Sequence, residues 1–334
     1  MNYIGSKLKL LPFLDSSISQ FIGKNTGVFA DLFAGTGIVG RYFKQQKGFD
    51  IIANDMQYYS YVLNKHYIEN SNKINSLYTD SYFEALPKNT QGFIYQNYCS
   101  GSGSERQYFT DENGIKCDTI RCEIERLLHN NKISYIEYYY LLTGLLESID
   151  KCANTASVYG AFLKHIKKSA QKTFELKLPE IITNKYQNQK HTVYQKPSEI
   201  LIQNIKGDIL YLDPPYNARQ YCSNYHILET IAKYDNPEIH GKTGLRDYSR
   251  QKSDFCIKPK APNALETIIK NADFKYIFLS YNNEGIIPFD VIKNIFQKYG
   301  NYEIFTKEYR RFKADSKRYN KSDTVTEYLH CLIK

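Results

Sequence analysis

Leu212-Asp213-Pro214-Pro215-Tyr216-Asn217 follows directly on the apolar run Ile209-Leu210-Tyr211. The run reads as a buried strand and the hexapeptide as its stiff exit. Two consecutive prolines fix two φ angles and supply no N–H, so neither a strand nor a helix continues through them, and Pro214 restricts Asp213 to extended geometry. The Asp213 carboxylate, the carbonyls of Asp213 and Pro214, and the Tyr216 ring are thereby held in one relation. They sit at the carboxyl end of a strand, which is where open α/β sheets bind ligands. A flat ring beside hydrogen-bond acceptors suits a planar group bearing an amino substituent, such as adenine or cytosine. A proline-stiffened strand exit with a core tyrosine fits the tetrapeptide equally well, so the rest of the chain decides.

Upstream, residues 28–33 (Val-Phe-Ala-Asp-Leu-Phe) predict a strand that enters Ala34-Gly35-Thr36-Gly37, and residues 38–43 take up helical spacing. Glycines at such a turn permit positive φ and let a ligand lie against the backbone, while the helix that follows offers free N–H donors. A second strand, 50–53, ends at Asn54-Asp55, about twenty residues on, where a nucleotide-binding βαβ unit carries an acid for ribose hydroxyls. Gly35, Gly37 and Gly40 stand at the G-x-G-x-x-G spacing of nucleotide-binding turns. Such a turn also admits a nucleoside without a pyrophosphate, and S-adenosylmethionine is such a nucleoside.

The 334 residues carry a formal charge of +9 and seven cysteines, none spaced as C-x-x-C. The length allows about two domains. The cysteine pattern indicates neither a zinc site nor a disulfide framework, the histidines show no ligand spacing with acids, and no metal is expected. No apolar run approaches the ~20 residues of a membrane span, and the first residues lack the apolar core of a secretion signal, so a cytoplasmic protein is expected. The basic balance, with a pI near 8.9, favours a polyanionic partner such as nucleic acid.

Along the remaining chain, residues 8–18 predict a short helix broken at Pro12, preceded by a basic loop with Gly5 at its centre. Residues 58–68, 117–128, 135–149 and 159–166 predict helices, and the aromatic, glycine-containing stretch 92–114 a surface loop. Strand and helix cease to alternate regularly between 57 and about 206. An inserted, mainly helical region over 57–189 is therefore expected, ending in the basic cluster Lys164, His165, Lys167, Lys168 and Lys172. After the corner come an expected helix over 220–233, a mobile polar loop over 235–260, a strand over 275–281, a helix over 288–299, and two strands over 302–310 and 324–333. These last two are joined by a basic connection and suggest a terminal hairpin.

With Asn2-Tyr3-Ile4-Gly5-Ser6-Lys7 first, Asp31-Leu32-Phe33-Ala34-Gly35-Thr36-Gly37 second, Asn54-Asp55 third and Asp213-Pro214-Pro215-Tyr216 late, the chain resembles the adenine-specific DNA N6-methyltransferases. The motif order is the α-type one of the deoxyadenosine methylase family. The resemblance covers nearly the whole chain. It implies an α/β fold, a Rossmann-like, mostly parallel S-adenosylmethionine-dependent methyltransferase sheet built from 1–56 and 190–334, with 57–189 as an inserted target-recognition region. It places Tyr3, Ser6, Lys7, Asp31, Phe33, Gly35, Thr36, Gly37, Asp55 and Asp213 at the cofactor. It gives Asp213, Pro214, Pro215 and Tyr216 the catalytic role on a flipped-out adenine in double-stranded DNA. Asn217, Arg219, Tyr221, Arg246, Arg250 and Lys252 are the candidates for nucleic-acid contact, and a restriction endonuclease encoded alongside is the implied partner. The strand before the corner is expected over 192–198. An RNA adenine methyltransferase and an inactive DNA-binding regulator are the competing readings, while Asp213 in place of asparagine weighs against protein-glutamine methylation.

Overall fold

In the computed structural model, residues 5–23, 27–310 and 324–334 are described. Seven strands form one sheet: β1 (Val28–Asp31), β2 (Asp50–Asn54), β3 (His191–Tyr194), β4 (Lys206–Leu212), β5 (Asp273–Asn282), β6 (Asn301–Arg310) and β7 (Thr324–Ile333). Their order is β3-β2-β1-β4-β5-β7-β6. The first five run parallel, and β7 lies antiparallel between β5 and β6. The expected mostly parallel sheet with a terminal hairpin is the one observed. The strand expected over 192–198 lies slightly upstream as β3, at the sheet edge, and is shorter.

Alternation along the strands divides the core in two. Ala30, Leu210, Leu212, Ile277 and Leu279 enter one cluster, while Phe29, Ile209, Tyr211 and Phe278 enter the other. That is the period of two by which successive residues of a strand face opposite sides. Both faces are apolar because both are covered, as parallel sheets require. Helix α1 (Leu11–Ile18), which carries Pro12 in its first turn, and α2 (Ile38–Tyr42) take one side.

The helices between β2 and β3 include α3 (Tyr58–Asn64), Phe93–Tyr98, α4 (Asp111–His129) and α5 (Tyr135–Asp150). Ser134 and Glu137 form a capping box at the start of α5, the reciprocal bonding that satisfies two end donors. The helical core they build also takes in Ile227, Leu228 and Ile231 of α6 (His226–Lys233), beyond the Asp-Pro-Pro-Tyr corner. Arg121 fastens the two. Its guanidinium is buried and donates to the carbonyls of Ile231 (3.0 Å) and Ala232 (3.1 Å), to the Tyr138 hydroxyl and to Glu125. A cation is favoured there because the carbonyls at a helix C-terminus carry partial negative charge. The opposite face of the sheet is covered by α7 (Ala261–Asn271) and α8 (Phe289–Gln297).

Four sequence expectations are corrected. The stretch 92–114 is not a surface loop: Tyr98, Tyr108 and Phe109 are fully buried, a helix covers Phe93–Tyr98, and α4 begins at Asp111. Aromatic rings at irregular spacing hid a core. Residues 159–166 are not helical. There the buried Asn154 carboxamide donates to the carbonyls of Gln107 and Leu163 and accepts from Lys167 N–H (3.0 Å), bonds that shape an irregular segment instead of a helical ladder. The helix expected over 220–233 is split at Tyr225 into Tyr221–Asn224 and α6. Residues 235–260 include a small hairpin (Ile239–His240 with Leu245–Arg246), two 3-10 turns, and the buried Phe255 and Cys256. The basic connection after β6 lies outside the described residues.

Candidate active site

Strands β1, β2 and β4 end level with one another: Asp31 is opposite Ala53 on one side and Tyr211 on the other. Their exits therefore bring Asp31, Asp55 and Asp213 to one edge. The turn after β1 depends on Gly37, whose φ of +75° is left-handed and whose Cβ, if present, would stand 2.4 Å from the Asn64 side-chain oxygen. With no Cβ there, the Asn64 amide closes on the Gly35 carbonyl at 2.9 Å. Asp55 ties the same turn to the end of β2. One of its oxygens accepts Gly35 N–H and the other Gln57 N–H, both at 2.9 Å. A carboxylate has about four acceptor positions, so room remains for two hydroxyl donors.

At the corner, Lys7 is buried and its ammonium lies 2.9 Å from Asp213 Oδ1 and 3.4 Å from Glu327 Oε1. The N-terminal turn reaches this position through Gly5, at φ +79°. A Cβ there would approach the Tyr221 and Tyr216 hydroxyls at 3.1 and 3.4 Å. The Tyr216 ring stands edge-on to Tyr281, with centroids 6.1 Å apart, and Lys7 Nζ is 5.6 Å from its centre. The Tyr216 carbonyl accepts Ile286 N–H at 3.1 Å, which pins the corner to the loop after β5.

Charge is tightly packed here. Burial pushes the Asp213 carboxyl up to about 6, Lys7 opposing this and Glu327 adding to it. Burial likewise raises Asp55 to about 6 against the pull of its two backbone donors. Asp31 is raised well above the usual carboxylate range by burial and then by the charge of Asp213. Burial alone would lower Lys7, but the carboxylates of Asp213 and Glu327 outweigh it and hold the ammonium well above its ordinary value.

A cavity of about 320 Å³ joins these groups. Of the residues singled out by sequence, Ser6, Lys7, Asp31, Phe33, Gly35, Thr36, Asp55, Asp213, Pro215, Tyr221, Arg250 and Lys252 line it. Gly37, Pro214, Tyr216, Asn217, Arg219 and Arg246 do not reach its wall, and Tyr3 lies outside the described residues. Arg219 is exposed and lies over Gly160, where a Cβ would meet its guanidinium at 2.0 Å. Arg246 is buried in a two-bond pair with Asp235 at 2.9 and 2.7 Å, which occupies its fork.

Sequence reasoning missed several wall residues. Pro197, Ser198 and Glu199 line the cavity just beyond β3, a strand end hidden when the strand is drawn as far as 198. Gln220 and Ser253 also line it, and the Gln220 carboxamide bonds both the N–H and the carbonyl of Ser253, drawing the following loop over the cavity. Glu327 was missed as well, although a lone acid in the apolar alternation of a terminal strand is a legible signal. The donor set fits a nucleoside with an amino-acid tail. Acids stand where hydroxyls and an ammonium would come, and Gln57 Oε1 is buried without a partner among the described residues. No group of three or more His, Cys, Asp or Glu side chains placed to hold a metal occurs among the described residues, and no described helix is long and apolar enough to cross a membrane.

A parallel sheet closed by an antiparallel seventh strand, a glycine turn after β1, an acid after β2 and Asp-Pro-Pro-Tyr after β4 together define a methyltransferase of the Rossmann-like type. More narrowly, residues 3–295 match the family described as D12 class N6 adenine-specific DNA methyltransferase, and the chain belongs to it. It is 53% identical to the Type II methyltransferase M.NlaIII of Neisseria lactamica, with 100% of this chain and 99% of that one aligned. It is 35% identical to the Type II methyltransferase M.CviAII of Paramecium bursaria Chlorella virus 1, over 98% and 97% of the two chains. The Type II methyltransferase M.FokI of Planomicrobium okeanokoites is 39% identical over this whole chain, which spans 53% of that longer protein.

Proposed function

We propose that this enzyme methylates the N6 amino group of an adenine flipped out of a specific site in double-stranded DNA, as the modification half of a restriction-modification system. The observation that carries the reading is the Asp213 carboxylate, fixed by two prolines beside Tyr216 and opening into the cavity that Asp31, Phe33, Gly35 and Asp55 also line. Residues 1–56 and 190–334 form the catalytic part, and 57–189 the region that reads the target.

Asp55 is placed for ribose hydroxyls and Asp31 for an ammonium, while Ser6, Lys7, Phe33, Gly35 and Thr36 complete the cofactor wall; Gly37 shapes the turn. Bound S-adenosylmethionine supplies a methyl group already activated on a sulfonium, so the transfer requires no metal. The adenine amino nitrogen is a poor nucleophile because its lone pair is delocalised into the ring. Asp213 and the Pro214 carbonyl would accept its two hydrogens in hydrogen bonds, which frees the lone pair to form the new N–C bond as the S–CH3 bond breaks; the bonding pair returns to sulfur, S-adenosylhomocysteine is the leaving group, and the surplus proton leaves by way of the carboxylate. Acceptors already fixed need no reorganisation as charge develops. Flipping costs roughly a few kcal/mol, and stacking on Tyr216 returns about 1–3 kcal/mol.

The exposed Arg219, Arg250 and Lys252, with Asn217 and Tyr221 beside them, are placed for the DNA strand at the corner, and the exposed Lys164, His165, Lys168 and Lys172 extend the basic surface. Arg246 instead holds the hairpin through Asp235. Purified protein given duplex DNA and S-adenosylmethionine should leave N6-methyladenine at one defined sequence, read by single-molecule sequencing. Asp213→Ala should leave none while still binding cofactor. Turnover by that variant would overturn the mechanism, and methylation confined to RNA would overturn the substrate.

A further inference from the structure

Glu327 stands where the pattern of β7 calls for an apolar side chain. Val325, Leu329 and Cys331 share its face and are buried, and Glu327 itself is 1% exposed. A carboxylate out of water costs several kcal/mol unless it is paired. Local breaches of the apolar pattern concentrate at functional sites. Its partners come from two other elements: Ser280 of β5 donates its hydroxyl to Oε1, and the Lys7 ammonium stands 3.4 Å from the same oxygen. The same ammonium is 2.9 Å from Asp213. One cation is therefore shared between two buried acids.

We propose that Glu327 is a positioning residue for methyl transfer: anchored by Ser280, it competes with Asp213 for the Lys7 ammonium, so Asp213 keeps enough negative charge to accept the adenine amino group. The inference rests on the reading of Asp213 as that acceptor. If Lys7 faced Asp213 alone, the ion pair would satisfy the carboxylate and weaken it toward a second donor. If Lys7 were missing, two buried acids would face each other and one would hold a proton. The three-membered arrangement avoids both. The charged and titratable groups around it are Lys7 from the N-terminal turn, Asp213, Tyr211 and Tyr216 from β4 and its exit, Asp31 from β1 on the far side of Asp213, and Lys307, which is opposite Glu327 on β6. Of these, Lys7 draws the Asp213 carboxyl down and Glu327 drives it up, so removing the Glu327 charge must lower the pH at which Asp213 titrates.

The test compares Glu327→Gln and Glu327→Asp with the unaltered full chain. Asp213 is titrated by carbon-13 NMR of the carboxyl group in cofactor-free protein, with Asp213→Asn to assign the signal. Turnover on duplex DNA is followed across pH, and cofactor affinity by calorimetry. Glu327→Gln should lower the Asp213 midpoint, move the acid limb of the rate profile to lower pH, and reduce kcat roughly 10- to 100-fold, as loss of an outer partner commonly does. Cofactor affinity should change little. Glu327→Asp, whose carboxylate is withdrawn by one methylene, should fall between, and it carries the test if the glutamine variant does not fold. An unmoved Asp213 midpoint overturns the inference, whether or not kcat falls. Turnover by Asp213→Ala would instead overturn the reading of Asp213 itself, a separate result.

Discussion

Replacing Asp213 with Asn should make this protein relatively more stable as the pH rises, the reverse of what losing an ion-paired acid usually does. The Asp213 carboxyl is raised to about 6 in the fold, chiefly by burial, against about 3.9 in an unfolded chain. A raised acid contributes stability that is complete below the unfolded value and is lost as the pH climbs through the folded one. At about pH 5 the folded carboxyl is protonated roughly ten to one while the unfolded one is nearly all ionised, which favours the fold by about 1.4 kcal/mol. By about pH 7.5 both are ionised and that contribution is gone. Asparagine cannot titrate, so the stability difference between the two proteins should shift by about 1.4 kcal/mol over this range in favour of the variant. Asp55 titrates in the same window, and the buried His66 and His226, both held down to about 4, oppose it by favouring the unfolded state at low pH. All three are common to both chains and cancel in the comparison; Asp31 does not, because the charge of Asp213 helps to raise its carboxyl, and relief of that charge in the variant adds to the shift in the same direction. Urea unfolding of cofactor-free protein at the two pH values measures the difference. No shift, or one of opposite sign, would mean that Lys7 satisfies Asp213 fully and that the corner holds no excess negative charge.

Asp55→Ala removes the acceptor of two backbone donors, each charge-assisted bond being worth about 1.5–3 kcal/mol. Cofactor affinity measured by calorimetry should fall at least roughly tenfold, and unchanged affinity would remove Asp55 from the cofactor site. Arg121→Ala leaves the carbonyls of Ile231 and Ala232 without their donor and should cost about 3–5 kcal/mol in urea unfolding at unchanged m-value. A loss below about 1 kcal/mol would show that water replaces the guanidinium.

The parts of the fold that were legible in the sequence are those where one local rule acts alone. Paired prolines end β4 wherever it packs, Gly37 is required by a φ that other residues resist, and apolar strands covered on both faces read as continuous runs. The insertion was harder to read because its geometry is set by contacts distant in sequence. Asn154 shapes residues 159–166 through bonds to Gln107 and Lys167, and Tyr98 and Tyr108 are buried against a helix more than a hundred residues later. The candidate site divides in the same way. Asp31 closes β1 while Asp55 and Asp213 follow β2 and β4, so all three could be named from the chain, but the sharing of Lys7 between Asp213 and Glu327 could not, since Glu327 arrives on an antiparallel strand late in the sequence.

That late arrival has a physical consequence. An antiparallel strand beside β5 carries Glu327 opposite Asn282, at the carboxyl edge of the sheet, where a parallel strand ending there would instead offer a loop. A strand residue is held by Ser280 and by the ladder on both sides, so its charge acts on Lys7 through protein rather than through water. The antiparallel strand is thus the element that allows a second buried acid beneath the Asp-Pro-Pro-Tyr corner, and, with Glu327 competing for Lys7 as proposed, the charge state of Asp213 would depend on sheet topology as well as on that motif.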